Sequence, residues 1–349
     1  MYYTSHLGRR EEQSIWFKQS FIKLFIRSDI RLWTFDSGLQ TPNSKLQPSD
    51  FSRCLLINIS YFCPHNYNTL DIQLIDQFIK NALAEDVGDG DHTTLSTIPS
   101  GTQGKAKLII KEDGILAGVE LAVEIFKVVD ADLNVEVLLQ DGAEVKVGDI
   151  GLTVSGSTHS ILIAERLVLN CMQRMSGIAT KTHRIVSLLK NTKTKILDTR
   201  KTTPGLRYLE KWAVRIGGGV NHRIGLYDMI LIKDNHVDYA GGISNAIKAA
   251  QKYIADHNKA LQIEIEVRNL DELAQVLAIG GVDRIMLDNF SFDNLRSAVK
   301  QIDGRFISEA SGGITEENVV IYAACGVDFI SMGALTHSVK SLDISLKAY

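Results

Sequence analysis

The sequence predicts an α/β protein: an incomplete or distorted parallel α/β barrel preceded by a small α+β domain. Three observations carry that prediction. First, short apolar runs rich in β-branched residues recur in the second half of the chain, at 195–198, 229–233, 263–266, 284–288, 305–308 (leading into Ser311-Gly-Gly313) and 328–333. Runs of this length separated by helical stretches are the pattern of parallel strands with crossover helices. Second, each run ends on a charged or small polar residue, and in a closed parallel barrel the C-terminal strand ends converge on one mouth. Third, residues 70 to about 160 lack this rhythm and alternate helix-like segments with short strands and turn glycines. Six strands are two short of an eightfold barrel, so an incomplete one is expected.

Residues 1–68 carry scattered aromatics (Trp16, Phe17, Phe21, Phe25), Pro42, Pro48 and Pro64, and no sustained period of 2 or 3.6. They read as a poorly ordered extension of unknown role, with a short helix at 15–26 as the alternative. The N-terminal α+β domain is expected over 69–175. It opens with an amphipathic helix over 70–83, which the acidic loop Glu85-Asp-Val-Gly-Asp-Gly-Asp-His92 should end. That loop lacks the twelve-residue ligand periodicity and closing Glu of an EF-hand and reads as a turn. A strand at 105–111, a helix at 119–129 and a strand at 134–139 follow, with turns at Gly142, Gly148, Gly151 and Gly156. A long helix from 160 to about 190 bridges into the catalytic barrel, expected over 176–340.

Barrel helices are expected at 206–216, 243–255, 270–278, 292–301 and 316–325. Gly217 reads as a left-handed residue closing the first, and Thr315 as the cap of the last, with Glu316 and Glu317 in its first turn. The tail, 341–349, is expected to return to the N-terminal domain.

With 38 Lys and Arg against 41 Asp and Glu, the 349-residue chain has a net charge of −3, which disfavours a general nucleic-acid or membrane electrostatic role. Cys54, Cys63, Cys171 and Cys325 form no CxxC pair or zinc cluster, and read as free thiols in a reducing cytosol. No run approaches the ~18 apolar residues of a bilayer span. The nearest, 15–33, is broken by Lys18, Lys23, Arg27, Asp29 and Arg31, and Glu11 and Glu12 count against a transit peptide. A cytoplasmic location is therefore expected.

Against this neutral background, Arg200, Lys201, Arg207, Lys211, Arg215, Arg223 and Lys233 concentrate cations, with His222 and His236 beside them. A solvated helix face accounts equally well for Arg207, Lys211 and Arg215. It cannot account for Arg200, Lys201, Arg223 and Lys233, which lie at strand ends or in a loop and suit a ligand with several anionic groups. Gly217-Gly-Gly219 alone is a weak signal. Ser311-Gly312-Gly313 and Gly333, after the last two strands, sit where barrels hold phosphate on backbone N–H groups. Glu266 and Asp288 end adjacent strands. They either neutralise the cationic mouth or hold Mg²⁺, ribose hydroxyls or developing positive charge. No Walker A or GxGxxG motif supports ATP hydrolysis or dinucleotide binding.

Over roughly 70–349 the chain resembles the quinolinate phosphoribosyltransferase family, the carboxylating nicotinate-nucleotide pyrophosphorylases of NAD biosynthesis. The matching segments are Ala164-Glu-Arg-Leu-Val-Leu-Asn170, Ser176-Gly-Ile-Ala-Thr180, Asp198-Thr-Arg-Lys-Thr-Thr-Pro-Gly-Leu-Arg207, Gly217-Gly-Gly-Val-Asn-His-Arg223 and Ile232-Lys-Asp-Asn-His236. Glu264-Ile-Glu266, Leu287-Asp-Asn289, Glu309-Ala-Ser-Gly-Gly313 and Ser331-Met-Gly333 complete the set. The resemblance implies phosphoribosyl transfer from phosphoribosyl pyrophosphate to quinolinate with decarboxylation, giving nicotinate mononucleotide, pyrophosphate and CO₂. It implies a homodimer with shared active sites, alone or within a higher assembly, in which Arg166 reaches the neighbouring site. Lys201, Lys233, Glu266 and Asp288 would be catalytic. Thr199, Arg200, Lys201, His222, Arg223 and Lys233 would surround the quinolinate carboxylates and the pyrophosphate. Glu266 and Asp288 would serve the ribose and Mg²⁺, and Ser311, Gly312, Gly313 and Gly333 the 5′-phosphate. A sibling phosphoribosyltransferase acting on another ring is an alternative, as is a non-catalytic phosphate-ligand sensor, although the intact carboxylate pair and cation set count against decay.

Overall fold

The computed structural model describes residues 72–349, so the extension expected over 1–68 lies outside the described residues. In chain order the elements are α1 (Ile72–Val87), α2 (His92–Thr97), β1 (Gln103–Ile110), β2 (Gly114–Ile115), α3 (Val119–Val129), β3 (Asn134–Val137), β4 (Glu144–Val145), β5 (Ile150–Ser157) and α4 (Thr158–Leu188). The second half continues with β6 (Lys195–Leu197), α5 (Arg207–Ile216), β7 (Ile230–Ile232), α6 (Asp234–Tyr239), α7 (Ile243–Asp256), β8 (Ile263–Val267), α8 (Leu270–Ile279) and β9 (Arg284–Asp288). It closes with α9 (Phe292–Ile302), β10 (Ile307–Ser311), α10 (Val319–Ala324), β11 (Phe329–Ser331), α11 (Ala334–His337) and β12 (Ile344–Ala348).

The first helix runs through Glu85 and Asp86, which were expected in the loop, because nothing before Gly88 interrupts it. Asp91 then caps α2 by accepting the Thr94 N–H at 3.0 Å. An antiparallel sheet of order β12-β1-β5-β3 follows. Its alternation is the usual half-buried one: Ala106, Leu108 and Ile110 of β1 turn inward, and Leu108 pairs with Leu152 of β5 and Leu346 of β12. The C-terminal strand thus pairs with β1 of this sheet. The 31-residue α4 connects it to the second half and buries Met172, Met175, Ile178 and Ile185.

The second half is a six-stranded parallel sheet of order β6-β11-β10-β9-β8-β7. Ile263, Ile265, Val267, Ile285, Leu287, Ala310 and Ile330 form its outer face and join Leu273, Val276, Leu295 and Val319 of the covering helices in one core. The edges β6 and β7 do not pair. Along β6 runs the segment around Val220, whose N–H donates to Ile196 O (2.8 Å) and whose carbonyl accepts from Asp198 N–H (3.2 Å). The barrel is therefore incomplete, as the strand count predicts.

Three local expectations are corrected. The helix expected at 316–325 starts only at Val319, because Asn318 accepts the Thr315 N–H (2.8 Å) and donates to Gly313 O (3.1 Å), fixing 315–318 as a turn. Gly217 is not left-handed: its φ is −73° and Gly218 takes the positive φ of +89°. Gly217 is required instead by close approach, since a Cβ there would lie 2.5 Å from Ala179 O on α4. Lys211 does not sit on a solvated face. It is buried, and its ammonium pairs with Asp198 and donates to His222 O (3.0 Å).

Candidate active site

Strand alternation puts Glu264 and Glu266 of β8, Arg284, Met286 and Asp288 of β9, and Glu309 and Ser311 of β10 on the inner face of the parallel sheet, with Glu264 beside Arg284 and Ser311 beside Asp288 in register. Above this face opens a cavity of about 690 Å³. Thr199, Arg200, Lys201, His222, Arg223, Lys233, Glu266, Asp288, Ser311, Gly312, Gly313 and Gly333 all line it. Of the site residues that the family resemblance implies, Arg166 alone is absent: it is exposed on α4 and does not line this cavity.

Lys233 donates to Glu266 Oε2 at 2.6 Å, a pair half in water. Arg223 is buried, with 8% exposure, and donates to Met229 O at 3.2 Å. Burial, then repulsion from Arg200, pushes the Arg223 pKa down. Two guanidinium groups face one cavity, and Glu264 and Asp228 offset the burial of Arg223 only in part, which suits an anionic ligand. The loop carrying them is fixed from below by Asp198, which receives Asn221 Nδ2 (2.6 Å), His222 N–H (2.8 Å) and Lys211.

The end of the cavity at Ser311–Gly313 is built by glycine geometry. Gly312 has φ +93°, and a Cβ on it would fall 2.2 Å from Asn289 Oδ1. Asn289, itself at φ +55°, donates through its backbone to Ser311 O (2.8 Å) and through its side chain to Asp288 Oδ2 (2.6 Å), so it orients both neighbours. Gly312→Ala is expected to raise KM for phosphoribosyl pyrophosphate about tenfold and to cost more than about 1 kcal/mol of stability. Steady-state kinetics and denaturant unfolding check both, and unchanged values would remove Gly312 from the phosphate cradle.

Sequence reasoning missed the floor. His222 Nε2 stands 2.9 Å from Glu264 Oε2 and 3.6 Å from Glu309 Oε2, and Arg284 Nη1 stands 2.9 Å from Glu309 Oε2. All four are buried. Glu264-Ile-Glu266 and Glu309-Ala-Ser311 sit in the matching segments, and period-2 spacing alone shares each inner face between a mouth residue and a floor residue. His222 differs from an exposed cation: Arg223 N–H donates to its Nδ1 at 2.7 Å. Burial lowers the ring's pKa and the two carboxylates more than offset that, but the second proton would need the nitrogen that Arg223 occupies. The hydrogen bond decides for a ring protonated at Nε2, turned toward Glu264.

Burial, then the adjacent Glu264 charge, raises the Glu309 pKa from 4.5 to about 7. Glu309 Oε1 and Glu264 Oε1 have no donor, and a proton held between the two carboxyls would satisfy them. A raised folded pKa gives stability that is complete below the unfolded value of 4.5 and lost as pH rises through about 7. The wild-type melting temperature should therefore fall relative to Glu309→Gln between about pH 5 and pH 8 and converge below it. Parallel melting curves across that window would show that Glu309 does not carry the proton.

Two matches cover this architecture in order: the quinolinate phosphoribosyl transferase N-terminal domain over 91–176 and its C-terminal domain over 178–347. The chain belongs to the quinolinate phosphoribosyltransferase family. Among relatives of this phosphoribosyltransferase, the nicotinate-nucleotide pyrophosphorylase [carboxylating], chloroplastic, of Arabidopsis thaliana is 48% identical over 299 residues, covering 81% of this chain and 84% of its own. A quinolinate phosphoribosyltransferase [decarboxylating] of Nicotiana tabacum, named as mitochondrial, is 46% identical with the same coverage. The solved nicotinate-nucleotide pyrophosphorylase of Francisella tularensis superposes with a TM-score of 0.77 at 40% identity, covering 82% of this chain and 99% of that one. Among the described residues, no helix is long and apolar enough to cross a membrane. Cys171 and Cys325 are buried free thiols, and Cys54 and Cys63 lie outside the described residues.

Proposed function

We propose that the chain transfers a phosphoribosyl group from phosphoribosyl pyrophosphate to quinolinate and decarboxylates the adduct to nicotinate mononucleotide. The observation that carries this reading is one cavity joining Arg200, Lys201, Arg223 and Lys233 to Glu266, Asp288 and the glycines at 312, 313 and 333. Arg200 and Arg223 bind the quinolinate carboxylates. Lys201 and Lys233 stabilise pyrophosphate as its bond to C1 breaks, and Glu266 and Asp288 face the ribose hydroxyls and the cationic character developing at C1. The ring nitrogen's lone pair forms the new bond to C1. The resulting pyridinium accepts the electron pair left at C2 when CO₂ departs, and a proton then replaces the carboxylate there. No imine or further cofactor is needed for that step.

Glu266 and Asp288, two oxygen donors on adjacent strands, suit Mg²⁺, which is bound through one or two carboxylates plus substrate phosphates. When bound, the ion neutralises the departing pyrophosphate charge. Arg166 serves a neighbouring subunit in a homodimer, a reading supported by its exposure away from its own cavity. The working compartment is the cytoplasm, against which the organellar names of the plant relatives provide the competing address, and imaging of the tagged full chain separates the two.

Purified protein should release CO₂ and pyrophosphate from quinolinate plus phosphoribosyl pyrophosphate, with nicotinate as the control substrate. Chelation with EDTA should abolish turnover and added Mg²⁺ should restore it. Equal use of nicotinate would overturn the substrate assignment, and full activity in EDTA the metal assignment.

A further inference from the structure

The loops at the phosphate end of the cavity are held from behind by one face of α4. Arg174, Gly177 and Lys181 follow one another at spacings of three and four, so they share that face. Lys181 Nζ donates to Ala334 O and Ser338 O, both at 2.7 Å, and so ties down both ends of the four-residue α11. Gly333, before that helix, and His337, at its end, line the cavity. Arg174 donates to Thr336 O (2.5 Å) and Val339 O (3.3 Å) and, from the same guanidinium, to Glu210 Oε1 (2.8 and 3.1 Å). Glu210 is fully buried and receives the Thr203 N–H (3.1 Å) and O–H (2.8 Å), anchoring the loop that follows Lys201. Thr336 O–H donates to Lys201 O at 2.8 Å and closes the circuit. Gly177 lets the chain lie this close, since a Cβ there would meet Lys340 O at 2.2 Å. Neither Lys181 nor Arg174 lines the cavity.

A single helical turn cannot hold its own backbone in one orientation, yet N–H groups bind phosphate only when they converge on it. Resting on the function proposed above, we propose that Lys181 and Arg174 are positioning residues for the phosphoribosyl donor: from α4 they fix the 333–338 turn and, through Glu210 and Thr336, the Lys201 loop. They touch no substrate. Loss of Lys181, which holds only the 333–338 turn, should therefore register on the donor alone, whereas a general loosening of the fold would affect both substrates.

Lys181→Met keeps the alkyl stem and removes two hydrogen bonds, so folding is preserved. It should raise KM for phosphoribosyl pyrophosphate about fivefold to tenfold while KM for quinolinate and kcat stay within about twofold. Arg174→Gln, which also frees the loop carrying Lys201, should raise the donor KM in the same way, lower kcat and lower the melting temperature, and Arg174→Lys should recover part of each. Isothermal titration with ribose 5-phosphate should show weakening by the same factor in Lys181→Met. Unchanged donor KM and ribose 5-phosphate affinity in Lys181→Met, or equal rises for both substrates, would overturn the proposal. If the wild-type protein failed to form product, the function would fall, while the ribose 5-phosphate titration would still decide whether Lys181 sets a phosphate site.

Discussion

Replacing Arg223 with alanine is expected to lower kcat/KM for quinolinate on the order of 10²–10³-fold, because removing one partner of a buried ion pair costs about 3–5 kcal/mol. The guanidinium is almost fully buried, donates to Met229 O and feels Glu264 and Asp228 only in part, so on the proposed function a substrate carboxylate completes its counter-charge. Removing it leaves that carboxylate desolvated and unpaired. Arg223→Lys should recover little, since a point charge cannot reproduce a planar fork at a carboxylate. Kinetics with quinolinate varied at saturating donor give the measurement, and wild-type efficiency in Arg223→Ala would remove the cationic mouth from substrate binding.

The second large effect is recovery of activity rather than its loss. Arg166→Ala and Lys233→Ala should each be inactive alone. If Arg166 completes the neighbour's site, each mixed dimer contains one site with neither lesion. Random exchange of equal amounts should then restore about a quarter of wild-type activity, since half the dimers are mixed and one site in each is intact. Verified exchange without recovery would confine Arg166 to its own chain or to a structural role.

Much of this architecture was legible because the strands of a parallel sheet announce themselves twice, by their apolar runs and by the polar residue that ends each run. All six predicted runs lie in one parallel sheet, and Lys233, Glu266, Asp288, Ser311 and Gly333 at or just past strand ends share one cavity, while Asp198 lies beneath it. The floor was less legible. Glu264, Arg284 and Glu309 occupy inner positions where a barrel ordinarily packs apolar side chains, and no local signal says that a buried Arg or Glu has found a partner on another strand. His222 stands in the sequence only as a neighbour of the cations, and no local signal shows that its Nδ1 accepts a backbone N–H one residue away. The turn at 315–318 was missed because Thr315-Glu-Glu is good helix-capping chemistry locally, and Asn318 competes for the same backbone groups.

Pairing of β12 with β1 joins residues more than two hundred positions apart, Ala106 with Ala348. A ribosome making this chain therefore exposes β1 as an unpaired edge, with Leu108 and Ile110 inward of it, until residues 344–348 have been synthesised. The whole parallel sheet is made within that interval. Open edges of this kind recruit other strands, and contacts of such long separation form slowly. The last strand thus acts as a latch, and the β1 edge stays open to other strands until it closes.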